Sequence, residues 1–316
     1  MATPGDAFDF FAAVQAPMRM QPGLRRLAEG SQQLHANPRG SRHLREKLQA
    51  LTSPAPSALQ CVEAFDPLPG LHALAAQAAA EHPQAFTWDG DTASACWLGW
   101  SVHAGEAQPC GTKPLPEVGT CLQALAPAWR LAGLLSLALA EDFALVDSRS
   151  ACIPWLAVAL PSHWAPERKI GQHFAQVHAP VADNALLLAA GDSLMRLVGA
   201  PQRWERFVWT ITPRATLNAH PALPPLNWQA ADAVGTAAQA WWRTERQTFI
   251  PVPQAGLAVF TIGVDCQPLV QAIDSAAKAQ RLHDALASMS PAVLQYRHLT
   301  SVREPLLHWL VQRAAA

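Results

Sequence analysis

The chain has 316 residues, half of them hydrophobic and 15% charged, with a formal net charge of −1 at pH 7. That length supports a large buried core, and so near-neutral a balance excludes the broad electrostatic footprint that a nucleic-acid or anionic-membrane partner needs. Its six cysteines, Cys61, Cys96, Cys110, Cys121, Cys152 and Cys266, form no C-x-x-C pair, which excludes zinc-ribbon and thioredoxin-like spacings and fits a reducing compartment.

In chain order, residues 1–20 read as a poorly structured lead-in, and residues 21–316 as a single domain. The first eleven residues carry acidic groups and no leading positive charge, unlike a secretory signal. The basic stretch from Arg25 to Lys47 fits a solvated face. A short helix is predicted over 44–51, ended by the breaker at 53–56. Alanine-rich residues 71–81 predict a second helix that stops before Pro83. Leu122, Leu125, Trp129, Ala132, Leu135 and Leu139 recur at three- and four-residue spacing, which predicts a long helix over 121–139. Pro127 would bend its first turns or move its start to Ala126 or Ala128. The most hydrophobic run, 131–140, is too short to span a bilayer, so a soluble, cytoplasmic protein is expected. Strands are predicted over 143–146 and 153–160, the second a continuous apolar run covered on both faces. Further strands follow over 207–212, 242–252 and 257–264, the last two joined by turn chemistry at 253–256. Residues 267–286 read as helical, and one or two short helices close the chain over 291–312. The sum is an α+β fold, an antiparallel sheet flanked by helices, without βαβ alternation or a glycine-rich nucleotide loop.

Residues 161–181 form the most distinctive segment. His178 comes just before Ala179-Pro180, where the residue preceding proline is pushed out of the helical region. A histidine at a helix end, held by a rigid turn, projects its imidazole in one direction, as an axial metal ligand must. The same position also suits a purely structural histidine. His173 lies five residues from His178, off its helix face, so no two-histidine zinc motif is written here. His103, His163, His283, His298 and His308 lack companion ligands in sequence and read as surface or hydrogen-bonded residues. The run 241–249 places Arg243, Glu245 and Gln247 on one strand face and Thr244, Arg246 and Thr248 on the other. Such a strand can build a polar network in a dry surround or sit at an edge with solvated charges. No nucleophile motif appears. Twelve tryptophans against one tyrosine fit core packing or a stacked aromatic wall.

Taken in order, these segments resemble the haem-dependent oxidative N-demethylase family, the large subunit of dimethylamine monooxygenase-type systems. Pro22-Gly-Leu-Arg25 resembles its N-terminal turn, and Leu137-Ala-Leu-Ala-Glu-Asp142 its helix-to-strand junction. Trp164-Ala-Pro-Glu-Arg-Lys-Ile-Gly171 with Val177-His-Ala-Pro-Val181 resembles its most recognisable motif. Glu245-Arg-Gln-Thr248 and Phe260-Thr-Ile262 resemble two of its strands, and Tyr296, Leu299 and Leu306 to Leu310 its closing helix.

The resemblance implies a PAS-like haem fold with helical extensions at both ends. It also implies oxygen-dependent removal of a methyl group from a small secondary amine, releasing formaldehyde, with O2 as oxidant and electrons from a separate reductase. His178 would then ligate the iron of a non-covalent haem b, since no C-x-x-C-H attachment motif is present. Lys169 and Arg246 would anchor propionates, and Glu245 would serve the substrate or proton pathway. Two positions depart from the family pattern: Val208 stands where it has asparagine, and Gly263 where it has arginine, and each could lie in the haem pocket. The alternative reading is therefore a catalytically silent haem-binding sensor of a gas or small ligand. Oligomeric assembly stays open.

Overall fold

The computed structural model describes residues 5, 7–53, 58–229 and 232–315. Its centre is a seven-stranded, wholly antiparallel sheet in the order β1-β9-β10-β11-β7-β8-β2. The strands are β1 (Arg25–Arg26), β2 (Leu59–Cys61), β7 (Asp142–Asp147), β8 (Cys152–Ala157), β9 (Trp204–Thr212), β10 (Trp241–Val252) and β11 (Leu257–Pro268). A smaller sheet of β3 (Phe86–Trp88), β4 (Thr92–Ala95), β5 (Trp100–His103) and β6 (Glu106–Pro109) lies in simple sequence order.

The β10–β11 hairpin is the spine. Aromatic, threonine and β-branched residues suit its two twelve-residue strands, which stay in register from Trp241↔Pro268 to Val252↔Leu257. Gly256 ends the connecting turn at φ +68°, a left-handed conformation that glycine adopts without strain. A Cβ there would also come within 2.6 Å of Arg149 Nε.

Period-two alternation gives the large sheet two different faces. On one, Phe143, Leu145, Ile250 and Val259 pack under α3 (Leu68–Glu81), α5 (Pro127–Ala138) and the small sheet. Trp209, Ile211 and Trp242 continue that face beneath the closing helices over 276–315. On the other face, Ala144, Val146, Phe249 and Phe260 look towards residues 162–198. Among the described residues, no helix is long and apolar enough to cross a membrane.

Several expectations are met: the helix near 44–51 runs as α2 (Arg42–Thr52), and the strands at 143, 153, 207, 242 and 257 all form. Four are corrected. The long helix over 121–139 is two helices, α4 (Pro116–Ala124) and α5, and of the two readings of Pro127 the moved start holds to within a residue: Pro127 takes the first position of α5 after Ala126 and bends no older helix. Residues 267–268 still belong to β11, and the rest of 267–286 divides into Leu269–Ala272 and Ala276–Ala287, with Ser275 capping the second. The lead-in is not loose throughout. Phe10–Ala13 form a helical turn capped by Asp9, and Phe10 and Val14 are buried against Trp242 and its neighbours. The small sheet was not predicted at all, since strands such as Thr-Ala-Ser-Ala and Glu-Ala-Gln-Pro have weak β-propensity. The breaker over 53–56 lies outside the described residues except for Ser53.

Candidate functional site

Between the second face of the large sheet and residues 162–198 lies a cavity of about 970 Å3. Ala144, Val146, Leu156, Phe260 and Ile262 form its apolar floor, with Phe249 stacked on Phe260 at 4.9 Å. Residues of the 12–25 and 295–298 segments complete the rim.

His178 reaches this cavity as the last residue of α6 (Phe174–His178). This helix of five residues is fixed at its start by reciprocal caps. His173 Nδ1 accepts from the Ala175 N–H at 3.1 Å, and Gln176 Oε1 accepts from the His173 N–H at 3.0 Å. At its end, the Asn184 amide donates to the carbonyls of His178 and Ala179, both at 3.1 Å. Ala179 itself is helical (φ −54°, ψ −37°), so the expected displacement before Pro180 does not occur. The imidazole Nδ1 lies 2.8 Å from the Phe174 carbonyl oxygen. A carbonyl only accepts, so Nδ1 carries the proton and Nε2 keeps its lone pair. Burial, including the Phe174 ring at 4.1 Å, lowers the histidine's pKa to about 4, and the ring is neutral at pH 7.

Lys169 follows the turn Pro166–Arg168 and also lines the cavity, where its Nζ donates to the Val177 carbonyl at 2.6 Å. Burial pulls its pKa below the usual lysine value. Two of its three N–H groups have no such partner on the described residues.

The predicted division of β10 holds. Arg243, Glu245 and Gln247 line the cavity, and the Gln247 amide donates to Glu245 Oε2 at 2.6 Å. Arg243 is wholly buried and donates to Ser162 Oγ and to the carbonyls of Leu160, Pro161, Thr216 and Leu217. It fastens the start of the His178 segment to the sheet through these five oxygen acceptors. Arg246 is on the opposite face. Its guanidinium binds Glu205 at 2.9 Å and the Gln32 carbonyl at 2.8 Å, away from the cavity. The expectation that Arg246 anchors a propionate is corrected by this parity: adjacent strand residues cannot share a face.

Two arginines that sequence reasoning missed occupy the cavity instead. Arg206 stands opposite Gln247 in the β9–β10 ladder, and its buried Nε has no hydrogen-bond partner among the described residues. Burial lowers its pKa, with the Glu245 carboxylate opposing the shift. The strand predicted from 207 excluded it, whereas β9 starts at Trp204; extending the alternation one residue upstream reaches it. Arg297 follows the helix Pro291–Tyr296, and its Nε is likewise buried without a partner. No local sequence signal marks it. His163 and His298, read as isolated, both line the cavity and both adopt left-handed φ values of +63° and +57°. Of the two departures from the family pattern, Val208 lines the cavity opposite Glu245, but Gly263 pairs with Arg246 on the far face.

Among the described residues, no three His, Cys, Asp or Glu side chains cluster to hold a bare metal ion. The cavity instead offers two imidazoles that burial pulls to pKa values of about 4, His163 and His178, together with an apolar floor and the Arg206 and Arg297 guanidiniums, which form no ion pair among the described residues. That donor set suits a flat apolar ligand that brings its own metal and carries acid groups. Comparison with known families matches residues 70–307, about three quarters of the chain, to the family described as haem-dependent oxidative N-demethylase, alpha subunit-like. The motifs around Trp164, His178, Glu245 and Phe260 all fall within the matched span, so the chain belongs to the haem-dependent oxidative N-demethylase alpha-subunit-like family.

Proposed function

We propose that the cavity binds a non-covalent haem b through His178, in a PAS-like arrangement, and that the chain oxidatively demethylates a small secondary amine. The observation that carries this reading is the His178 imidazole, held neutral by burial and by the Nδ1–H···O=C bond to Phe174, with Nε2 left for iron. The cavity also fits the group in size and charge. Its volume lies near the upper end of the roughly 300–1,000 Å3 usual for cofactor pockets, and Arg206 and Lys169 offer donors to two propionates.

Haem iron, when bound, supplies the activation of O2. The overall change takes the N-methyl carbon to formaldehyde and one oxygen atom to water, with two electrons and two protons entering from a separate reductase and solvent. The chain's own residues bind and orient. Glu245 accepts an N–H of the protonated amine through Oε1, while Gln247 holds Oε2 in place. Phe249, Phe260 and Ile262 exclude water around the methyl group. The family's designation as an alpha subunit supports assembly with other subunits, and six free cysteines suit a cytoplasmic setting.

One observation favours a second reading, a haem-binding sensor without turnover: Val208 puts an isopropyl group beside Glu245, where the family pattern has an amide. Purified protein should show a Soret band that His178→Ala abolishes or shifts. Amine-dependent formaldehyde release with a suitable reductant then separates enzyme from sensor. An unchanged spectrum in His178→Ala would refute the ligand assignment.

A further inference from the structure

A secondary ammonium carries two N–H donors, and Glu245 Oε1 accounts for only one of them. A donor carried into a closed site without an acceptor costs about as much as a lost hydrogen bond, so such a substrate needs a second acceptor close to Glu245. The sheet places none across from it. The cross-strand neighbours of Glu245 are Val208 on β9 and Val264 on β11. Along β10, the Gln247 amide is tied to Glu245 Oε2 at 2.6 Å, and Arg243 is a donor alone.

Among the described residues, three hydroxyls line the cavity, those of Ser162, Thr210 and Tyr296. Ser162 Oγ already accepts from Arg243 Nε at 2.8 Å, and Thr210 stands opposite Arg243 in the β9–β10 ladder. Tyr296, the one tyrosine of the chain, ends the helix Pro291–Tyr296 with 44% of its surface open. Beside it, Arg297 donates to the carbonyl of Trp209, which follows Val208 on β9. That bond ties the 295–298 rim to the edge of β9 at the level of the Val208–Glu245 pair. Burial raises the pKa of the Tyr296 phenol; its chain neighbour Arg297 opposes the rise, and Glu245 adds to it. No other charged group of the cavity acts on this phenol, so its hydroxyl lies on the Glu245 side of the space. The hydroxyl has no hydrogen-bond partner among the described residues. Protonated at neutral pH, it has lone pairs to accept with.

Resting on the functional reading above, we infer that Tyr296 binds substrate, its hydroxyl accepting the second N–H of a secondary ammonium while Glu245 accepts the first. The pair selects by counting N–H groups. Dimethylammonium satisfies both acceptors. Trimethylammonium has a single N–H for Glu245 and turns a methyl group towards the phenol oxygen. Sites built to bond a polar hydrogen reject analogues that lack it. The apolar floor alone would give the opposite order, because an added methyl group buries more surface.

The test is spectral and calorimetric titration of the haem-loaded protein at neutral pH with dimethylamine and with trimethylamine. Wild type should bind dimethylamine about tenfold more tightly. Tyr296→Phe keeps the ring and should weaken dimethylamine by about 10–100-fold, the worth of a hydrogen bond to a charged group, while trimethylamine changes by no more than about threefold. Thr210→Val should leave both affinities as they are. Equal losses for the two amines in Tyr296→Phe would mark a structural role and overturn the proposal, as would no loss for dimethylamine, or a preference erased by Thr210→Val instead. Each of those results leaves the amine reading intact. Should Tyr296→Phe not fold, wild type still decides, since equal or tighter binding of trimethylamine overturns the proposal. Wild type that shows a Soret band but binds neither amine refutes the amine reading and this proposal with it. Protein without a Soret band refutes the haem reading separately, and calorimetry on it still reports the preference between the two amines.

Discussion

Acidification should weaken the fold through His178 in a defined pH window. The unfolded imidazole titrates near 6.5 and the folded one near 4, so the unfolded chain binds the extra proton between those values. A depressed folded pKa means that the stability is present above pH 6.5 and is lost as pH falls towards 4. With these two values, linkage gives a loss of about 2 kcal/mol between pH 7 and pH 5 from this one side chain. The physical sources are burial in the cavity wall and the neighbouring positive charges of Arg206 and Lys169, only partly offset by the Phe174 carbonyl. Urea unfolding of haem-free wild type and of His178→Leu at both pH values isolates the effect, because other groups titrate in both proteins and cancel. The wild type should lose about 2 kcal/mol more than the variant. Parallel pH dependence in the two would refute the argument that this imidazole is held neutral. With haem loaded the difference should grow, since the proton must then also displace iron from Nε2.

Other outcomes follow from the two faces of β10 and from the network beneath it. Glu245→Gln should retain the Soret band yet lower amine-dependent formaldehyde release by about 10²–10⁴-fold; undiminished turnover would remove Glu245 from the substrate path. Arg206→Met should weaken haem binding by roughly 10–100-fold, the worth of a hydrogen bond to a charged group, as read by haem transfer to a competing apoprotein. Arg246→Met, on the far face, should leave haem affinity of the folded protein unchanged while lowering its stability, because Glu205 loses its buried partner. Lys47 is wholly buried, donates to the carbonyls of Leu139 and Glu141 and forms an ion pair with Asp142 at 3.1 Å. Lys47→Met strands the Asp142 charge and should cost about 3–5 kcal/mol in urea unfolding; a loss under about 1 kcal/mol would show that Asp142 finds compensation elsewhere.

Local chemistry made much of the fold legible. The β10–β11 hairpin announces itself through two runs of aromatic and β-branched residues around Pro253 and Gly256. Helices with a clear breaker or cap, such as Leu68–Glu81 before Pro83, were equally plain. Errors arose where one residue has two local meanings. Pro127 can kink a helix or start one, and only the packing of α4 against α5 decides. Leu-Val-Gln-Ala at 269–272 reads as the start of a long helix until Ser275 is seen to cap the next one. The small sheet was invisible because its strands owe their conformation to burial of Phe86, Ala93, Ala95, Trp100 and Val102 against α3 and α5, not to their own propensities.

The site shows the same division more sharply. His178, Lys169 and Glu245 were legible because each sits in a dense local motif, and the structure gathers all three around one cavity. Arg246 failed although its strand and its parity were both read correctly: once Glu245 is assigned to the cavity, the pleat sends Arg246 to the other face, where Glu205 is waiting. Arg206 and Arg297 came from a strand end and from the residue after a short helix, where neither periodicity nor motif points inward. What identifies them is a buried N–H without a partner, a property of three-dimensional packing alone. Positively charged groups left unsatisfied in a buried site mark the place of a missing anion more directly than any sequence pattern, and Arg206, one of the two found here, lines the same cavity as His178.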